Sequence, residues 1–203
     1  GLASYNRQRF SFRADWETAG EPGAAKPITF SLKANLLQAT FEGQYEASSG
    51  IRLEGHATAN ARKLRVLARW LGLPVAGGSD LRDFNISGRM EYGDGTIAFA
   101  LANVKVDGNE GSGALTLKTN GKRPAIDGTL GFDRLDLSRY VASLMDERDP
   151  ATTPAAVPSK EPARSLLTVV DADLRLSAAK VTAPGLDTGR AAATIALRQG
   201  RLQ

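Results

Sequence analysis

Apolar and polar residues alternate with period two along most of this chain. Such a pattern puts one face of a sheet in a core and leaves the other in water. Phe10, Phe12, Ala14 and Trp16 alternate with Ser11, Arg13 and Asp15, and Ile28, Phe30, Leu32 and Ala34 with Thr29, Ser31 and Lys33. The pattern continues through Leu37, Ala39 and Phe41, then Ile51, Leu53, Gly55, Ala57 and Ala59. It resumes at Phe84, Ile86, Gly88, Met90 and Tyr92, at Ile97, Phe99 and Leu101, at Leu115 and Leu117, and at Ile126, Gly128, Leu130 and Phe132. The prediction is antiparallel strands. Tyr92-Gly93-Asp94-Gly95 predicts a tight hairpin, because Gly and Asp tolerate positive φ.

Two segments change period. Residues 60–71 place Leu64, Leu67, Ala68 and Leu71 on one helical face, with Asn60 as the candidate N-cap and Gly72 and Pro74 as stops. Residues 136–147 place Leu137, Tyr140, Val141, Leu144 and Met145 on one face, with Asp136 or Ser138 as cap.

These elements recur at an offset of roughly 70 residues, so the chain reads as repeats of several strands followed by one short helix. Phe10-Ser11-Phe12 corresponds to Phe84-Asn85-Ile86, Ile28–Leu32 to Ile97–Leu101, and the helix at Leu64–Leu71 to that at Leu137–Leu144. The expected organisation is two strand-rich repeats over residues 1–147, each ending in a short helix. A linker covers 148–164, and a third, truncated repeat starts over 165–203. The linker region holds Pro150, Pro154, Pro158 and Pro162, four of the nine prolines, and reads as flexible and disordered. The expected fold is mainly β with a few short helices: a curved antiparallel sheet, groove-like or folded over. The chain begins Gly1-Leu2-Ala3 and stops mid-pattern at Gln203, so it reads as a piece of a longer protein.

Composition removes whole classes of chemistry. With no cysteine there is no disulfide, zinc–thiolate site, iron–sulfur cluster or cysteine nucleophile. With one histidine, His56, a Ser-His-Asp triad would have to run through that residue, and no G-x-S-x-G elbow accompanies it. A net charge of +4 and an aromatic content of 6% confined to apolar faces argue against nucleic acid. No run of apolar residues is long enough to span a membrane as a helix.

The remaining motifs read as structure. Gly93-Asp94-Gly95-Thr96-Ile97-Ala98 matches G-x-G-x-x-A, but strands flank it where a dinucleotide site needs a helix. Asp107-Gly108-Asn109-Glu110 reads as a turn, since no spaced oxygen ligands follow it for calcium. Asn85-Ile86-Ser87 is a glycosylation sequon in mid-strand, and Asp171 and Asp173 share a solvated strand face. Arg62, Lys63, Arg65 and Arg69 give the first helix a basic face, as in membrane-surface helices, although its leucines suit packing on a sheet. No enzyme activity, cofactor or metal is expected.

The segment Leu64-Arg65-Val66-Leu67-Ala68-Arg69-Trp70-Leu71-Gly72 resembles the R-x-L-x-R-W-L-G helix of the AsmA family. Gly113-Ala114-Leu115, Arg123-Pro124-Ala125-Ile126-Asp127-Gly128-Thr129-Leu130 and Leu135-Asp136-Leu137-Ser138-Arg139-Tyr140 resemble that family's following run. Ala172-Asp173-Leu174-Arg175-Leu176-Ser177 and Leu197-Arg198-Gln199-Gly200-Arg201-Leu202 resemble its later repeat. The resemblance implies a periplasmic protein of Gram-negative bacteria, anchored in the inner membrane by a helix outside this chain. It is similar to bridge-like lipid transfer proteins, which stack β-repeats into a groove carrying phospholipid between membranes. Outer-membrane biogenesis and lipid homeostasis would be its setting, phospholipid its ligand, and other envelope proteins further partners. The expected function is a segment of a lipid-conducting groove, with Phe84, Ile86, Ile97, Phe99, Leu101, Leu115 and Leu117 as lipid-binding residues. The alternative is a non-conducting structural or interaction domain of an envelope assembly protein. An enzyme acting on an envelope glycan is the third reading. The residues alone leave open whether the apolar face closes into an ordinary core or stays available to a ligand.

Overall fold

Strand after strand with one apolar edge favours lateral pairing, because each added strand extends the same apolar surface. The structure, a computed structural model, describes residues 1–6, 8–18, 21, 23–48, 50–70, 82–140, 170–199 and 201–202. It is one open, curved sheet of thirteen strands. In chain order these are β1 (Leu2–Tyr5), β2 (Gln8–Trp16), β3 (Lys26–Ala34), β4 (Leu37–Ala47), β5 (Ile51–Arg62), β6 (Asp83–Gly93), β7 (Thr96–Val106), β8 (Asn109–Lys118), β9 (Ala125–Asp136), β10 (Asp171–Ala183), β11 (Leu186–Thr188), β12 (Ala191–Arg198) and β13 (Arg201–Leu202). Helix α1 (Leu64–Trp70) lies between β5 and β6, and residues 138–140 form the start of a helix after β9. Four long strands and a helix are thus followed by four long strands and a helical turn. The strands after residue 170 extend the same sheet.

Spatial order follows chain order, by antiparallel pairing from β1 to β9, with α1 in the connection from β5 to β6. The turn at Asp94 (φ 49°) and Gly95 (φ 71°) joins β6 to β7, and that at Asp107 (φ 50°) and Gly108 (φ 90°) joins β7 to β8. Positive φ at both central residues is the type I′ geometry that matches strand twist, and Asp-Gly supplies it in each case. The expectation of a purely antiparallel sheet needs one correction. β10 pairs with β9 in parallel, with Asp171 opposite Ala125 and Leu176 opposite Leu130. Parallel neighbours need a crossover rather than a tight turn, and residues 137–170 provide the length.

The apolar positions line up across the sheet. One row runs Ile28, Gly43, Gly55, Met90, Phe99, Leu115, Gly128, Leu174 and Ile195. The next runs Phe30, Phe41, Ala57, Gly88, Ala102, Gly113, Leu130, Leu176 and Ala193. A polar row, Ser31, Thr40, Thr58, Ser87, Asn103 and Ser112, crosses the other face. Cross-strand ion pairs join Arg89 to Glu54, Lys105 to Glu110 and Lys118 to Asp127 on that wet side. Being exposed, each contributes at most about 1 kcal/mol.

The first helix is shorter than expected. Asn60 is not its cap: β5 runs on to Arg62, where Asn60 pairs with Gln38 and Asn85 and accepts a hydrogen bond from the Asn85 side chain. The turn into the helix falls at Lys63 (φ 51°), whose carbonyl accepts from the Val66 and Leu67 amides at 2.7 and 3.0 Å. Leu67 and Trp70 bury against Ala34, Leu36 and Ala61, so α1 covers one rim of the apolar face. Trp70 Nε1 donates to the Tyr5 carbonyl at 2.7 Å, tying the helix to β1. Of the second helical segment, residues 141–147 lie outside the described residues, as do Leu71 and the Pro-rich segment 148–164.

Candidate functional site

The rim covered by α1 is one end of a trough. β3, β5, β7 and β9 all run toward it, so both helical segments follow strands that end there. Leu137 packs beside Val106 and Leu135 at the same rim. Asn109, the one buried polar residue among the described residues, clamps this corner: its Oδ1 accepts from Asp136 N at 2.6 Å and its Nδ2 donates to Asp136 O at 3.2 Å. Satisfying both ends of a buried amide removes the penalty of its burial. Asp136 Oδ1 then accepts from Ser138 N at 2.9 Å, an N-cap bond; hydrogen bonding from the Ser138 side chain first, and then from its backbone, holds the Asp136 carboxyl below its usual range.

Tyr140 donates to Asp107 Oδ2 at 2.9 Å, while Asp107 Oδ1 accepts from Arg82 N at 2.8 Å and Asp83 N at 3.0 Å. One turn carboxylate therefore ties the entry of β6 to the second helical segment. Burial first, then the bond to Asp107, pushes the Tyr140 phenol up to about 12.

Away from this rim the concave face is uncovered by any described element. It holds a cavity of about 630 Å³ lined by Ile28, Phe30, Phe41, Leu53, Phe84, Ile86, Met90, Ile97, Phe99, Leu115, Leu117 and Ile126, with Ala39, Ala57 and Ala59. That volume is in the range of small-molecule sites, about 300–1,000 Å³. No charged side chain lines it. β3 to β9 each have a ladder partner on both sides, which pairs the floor's backbone groups except where the bulge at Ala100 and Leu101 interrupts the ladder. A sugar, nucleotide or peptide backbone laid here would leave its own polar groups unpaired, at about 1–3 kcal/mol each. Hydrocarbon would not.

Six of the seven residues expected to line the groove do so: Phe84, Ile86, Ile97, Phe99, Leu115 and Leu117. They come from β6, β7 and β8, which the hairpins bring side by side. Leu101 lies elsewhere. The register slips between Phe99 and Ala102 on β7, so Ala100 and Leu101 together oppose Arg89. This bulge inverts the alternation. Ala102 and Val104 take the buried face at 1% and 3% exposure, and Leu101 stands 77% exposed. The signal was in the sequence, where apolar residues at 97, 99 and 101 change phase to 102, 104 and 106. The lining from the first repeat, Phe30, Phe41 and Leu53, carries the same alternation but was not singled out.

The remaining candidates are placed as follows. His56 is exposed on β5, between Glu42 and Arg89 in the ladder. Asp171 is bound rather than merely solvated: it accepts from Arg123 Nε at 3.1 Å and Gln199 N at 2.8 Å, fastening the β8–β9 turn to the β12–β13 turn. Asp173, on the same strand and opposite Asp127, borders a shallow hollow of about 300 Å³ together with Arg175. Among the described residues no three metal-ligating side chains come together, and no helix is long and apolar enough to cross a membrane. In comparison with known proteins, the chain matches no family model, no curated protein and no solved structure.

Proposed function

We propose that this chain is a segment of a lipid-conducting trough in an AsmA-like envelope protein, and that acyl chains are its ligand. One observation carries the reading: an apolar face continuous over nine paired strands, with an uncovered cavity of about 630 Å³ at its centre. Each buried CH₂ is worth about 0.8 kcal/mol, so a lipid leaving a membrane for water meets a barrier of tens of kcal/mol. A trough whose rows repeat from strand to strand lowers that barrier and keeps the lipid's energy nearly constant as it slides. In this reading the chain is a carrier and not an enzyme. It works in the periplasm, held at the inner membrane by an anchor in a longer protein, and serves phospholipid movement toward the outer membrane.

The second reading is a non-conducting structural or interaction domain. It is favoured by the half of the face where Ile86, Ala102, Val104, Leu130 and Phe132 are all under 9% exposed and pack as an ordinary core. Lipid extraction and native mass spectrometry on protein from bacterial envelope separate the two. Co-purifying phospholipid, lost in Leu117→Asp with the circular dichroism spectrum unchanged, supports the trough. A folded, lipid-free protein that also takes up no lysolipid on titration supports the structural domain.

A further inference from the structure

The strand ends beside α1 hold a second cavity, of about 920 Å³, whose polar walls belong to the wet face of the sheet. One wall is the ladder row Gln38, Asn60, Asn85 and Lys105. Arg62, Asp83 and Asp107 follow at the strand ends, with Arg139 from the second helical segment. Backbone bonds fasten these ends together. Arg62 N donates to Leu36 O at 2.9 Å, Lys63 N to Arg82 O at 2.5 Å and Asp107 N to Asp83 O at 3.0 Å.

Several side chains here are already engaged. The Asp107 carboxylate takes the Arg82 and Asp83 amides and the Tyr140 hydroxyl. Lys105 is held by Glu110 at 2.6 Å. Asn85 Nδ2 donates to Asn60 Oδ1, which fixes both amides and turns the Asn60 NH₂ and the Asn85 carbonyl outward as donor and acceptor. Among the described residues neither Arg62 nor Arg139 forms an ion pair, although Arg139 acts on Asp136 at longer range. Asp83 stands opposite Arg62 in the ladder, and the exposed Lys63 and Arg82 beside it outweigh its charge.

We propose that this cavity binds the phosphate ester of a small hydroxylated molecule, such as a glycerol or sugar phosphate. A phosphate ester carries about −1.5 to −2 charge at pH 7, which two guanidinium forks match in charge and geometry. The Asn60 donor, the Asn85 carbonyl and the Asp83 carboxylate suit hydroxyl groups. A nucleobase would find no platform to stack on, because the one aromatic side chain on the wall, Phe84, is packed against the α1 cluster. The site does not rest on the acyl-chain reading: Phe84 is the one residue it shares with the trough.

Isothermal titration calorimetry of the full chain with glycerol 3-phosphate tests this. The expected result is saturable binding, with Kd raised about tenfold or more in Arg62→Gln and in Arg139→Gln, the loss of a hydrogen bond to a charged group. Arg175→Gln, exposed on β10, and Leu117→Asp, in the trough, should leave Kd unchanged. Co-sedimentation with phosphatidylglycerol vesicles separates the sources of the ester. Pelleting that Arg62→Gln abolishes makes it a membrane headgroup, and binding of glycerol 3-phosphate without pelleting makes it a soluble molecule. Equal affinity for inorganic phosphate overturns the hydroxyl contacts. Absence of both saturable binding and pelleting, or binding that both arginine substitutions leave unchanged, overturns the site. Circular dichroism of the variants confirms that the fold is unchanged, as both arginines are exposed.

Discussion

Leu101 shows how far a single residue can depart from its neighbours' rule. It is apolar and in phase with Ile97 and Phe99, yet the bulge exposes it. Leu101→Asp should therefore leave stability within about 0.5 kcal/mol in urea unfolding, as for an ordinary surface site. Gly55 is the converse, a residue chosen for having no side chain. It faces Gly43 across the β4–β5 ladder, and a Cβ there would lie 2.3 Å from the Glu42 carbonyl and 2.6 Å from Gly43 Cα. The obstacle is backbone, which cannot swing aside. Gly55→Ala should lower stability by about 1–3 kcal/mol in the same assay, the usual range for overpacking. Neither residue's role is visible in composition, because each depends on what the neighbouring strand places opposite.

Helix α1 has seven residues, too few to stand alone in water. Its stability is borrowed from Leu67 and Trp70, buried on the sheet at 6% and 8% exposure. Leu67→Ala should cost about 2–5 kcal/mol and release amide protection first in 64–70, read by hydrogen exchange. The second helical segment offers a pH test through Tyr140. Its phenol sits at about 12 in the fold, against about 10 in an unfolded chain. A raised folded value means the stabilising contribution is whole below pH 10 and is lost as pH rises through 12. Ultraviolet titration should show a late tyrosine step, and Tyr140→Phe should remove it. The helix leucines and the alternating strands were legible from sequence because periodicity alone reveals an apolar face. The boundary at Lys63 was not, since Asn60 has the right chemistry for a cap and only its pairing with Gln38 and Asn85 keeps it in a strand.

At the scale of the whole molecule, uncovered apolar surface governs behaviour. If acyl chains occupy it, mass action predicts that palmitoyl-lysophosphatidylcholine raises the unfolding free energy by about 2.7 kcal/mol at a hundredfold excess over Kd. Thermal unfolding reads this, and Leu117→Asp should abolish the rise while Leu101→Asp preserves it. The sequence by itself determined that the chain is a β-sheet with one apolar face, interrupted by two short helices, since period and turn residues are local properties of neighbouring positions. It also named six of the residues that line the trough. Only the tertiary structure decided the rest. Strand order and the parallel β9–β10 pairing come from contacts between residues far apart in the chain. The bulge at Leu101 comes from register against Arg89. Which stretch of the apolar face is covered depends on where α1 and the helical turn at 138–140 land, at one rim. The other rim is left free of any described element because every strand that leads into a helix ends on the same side.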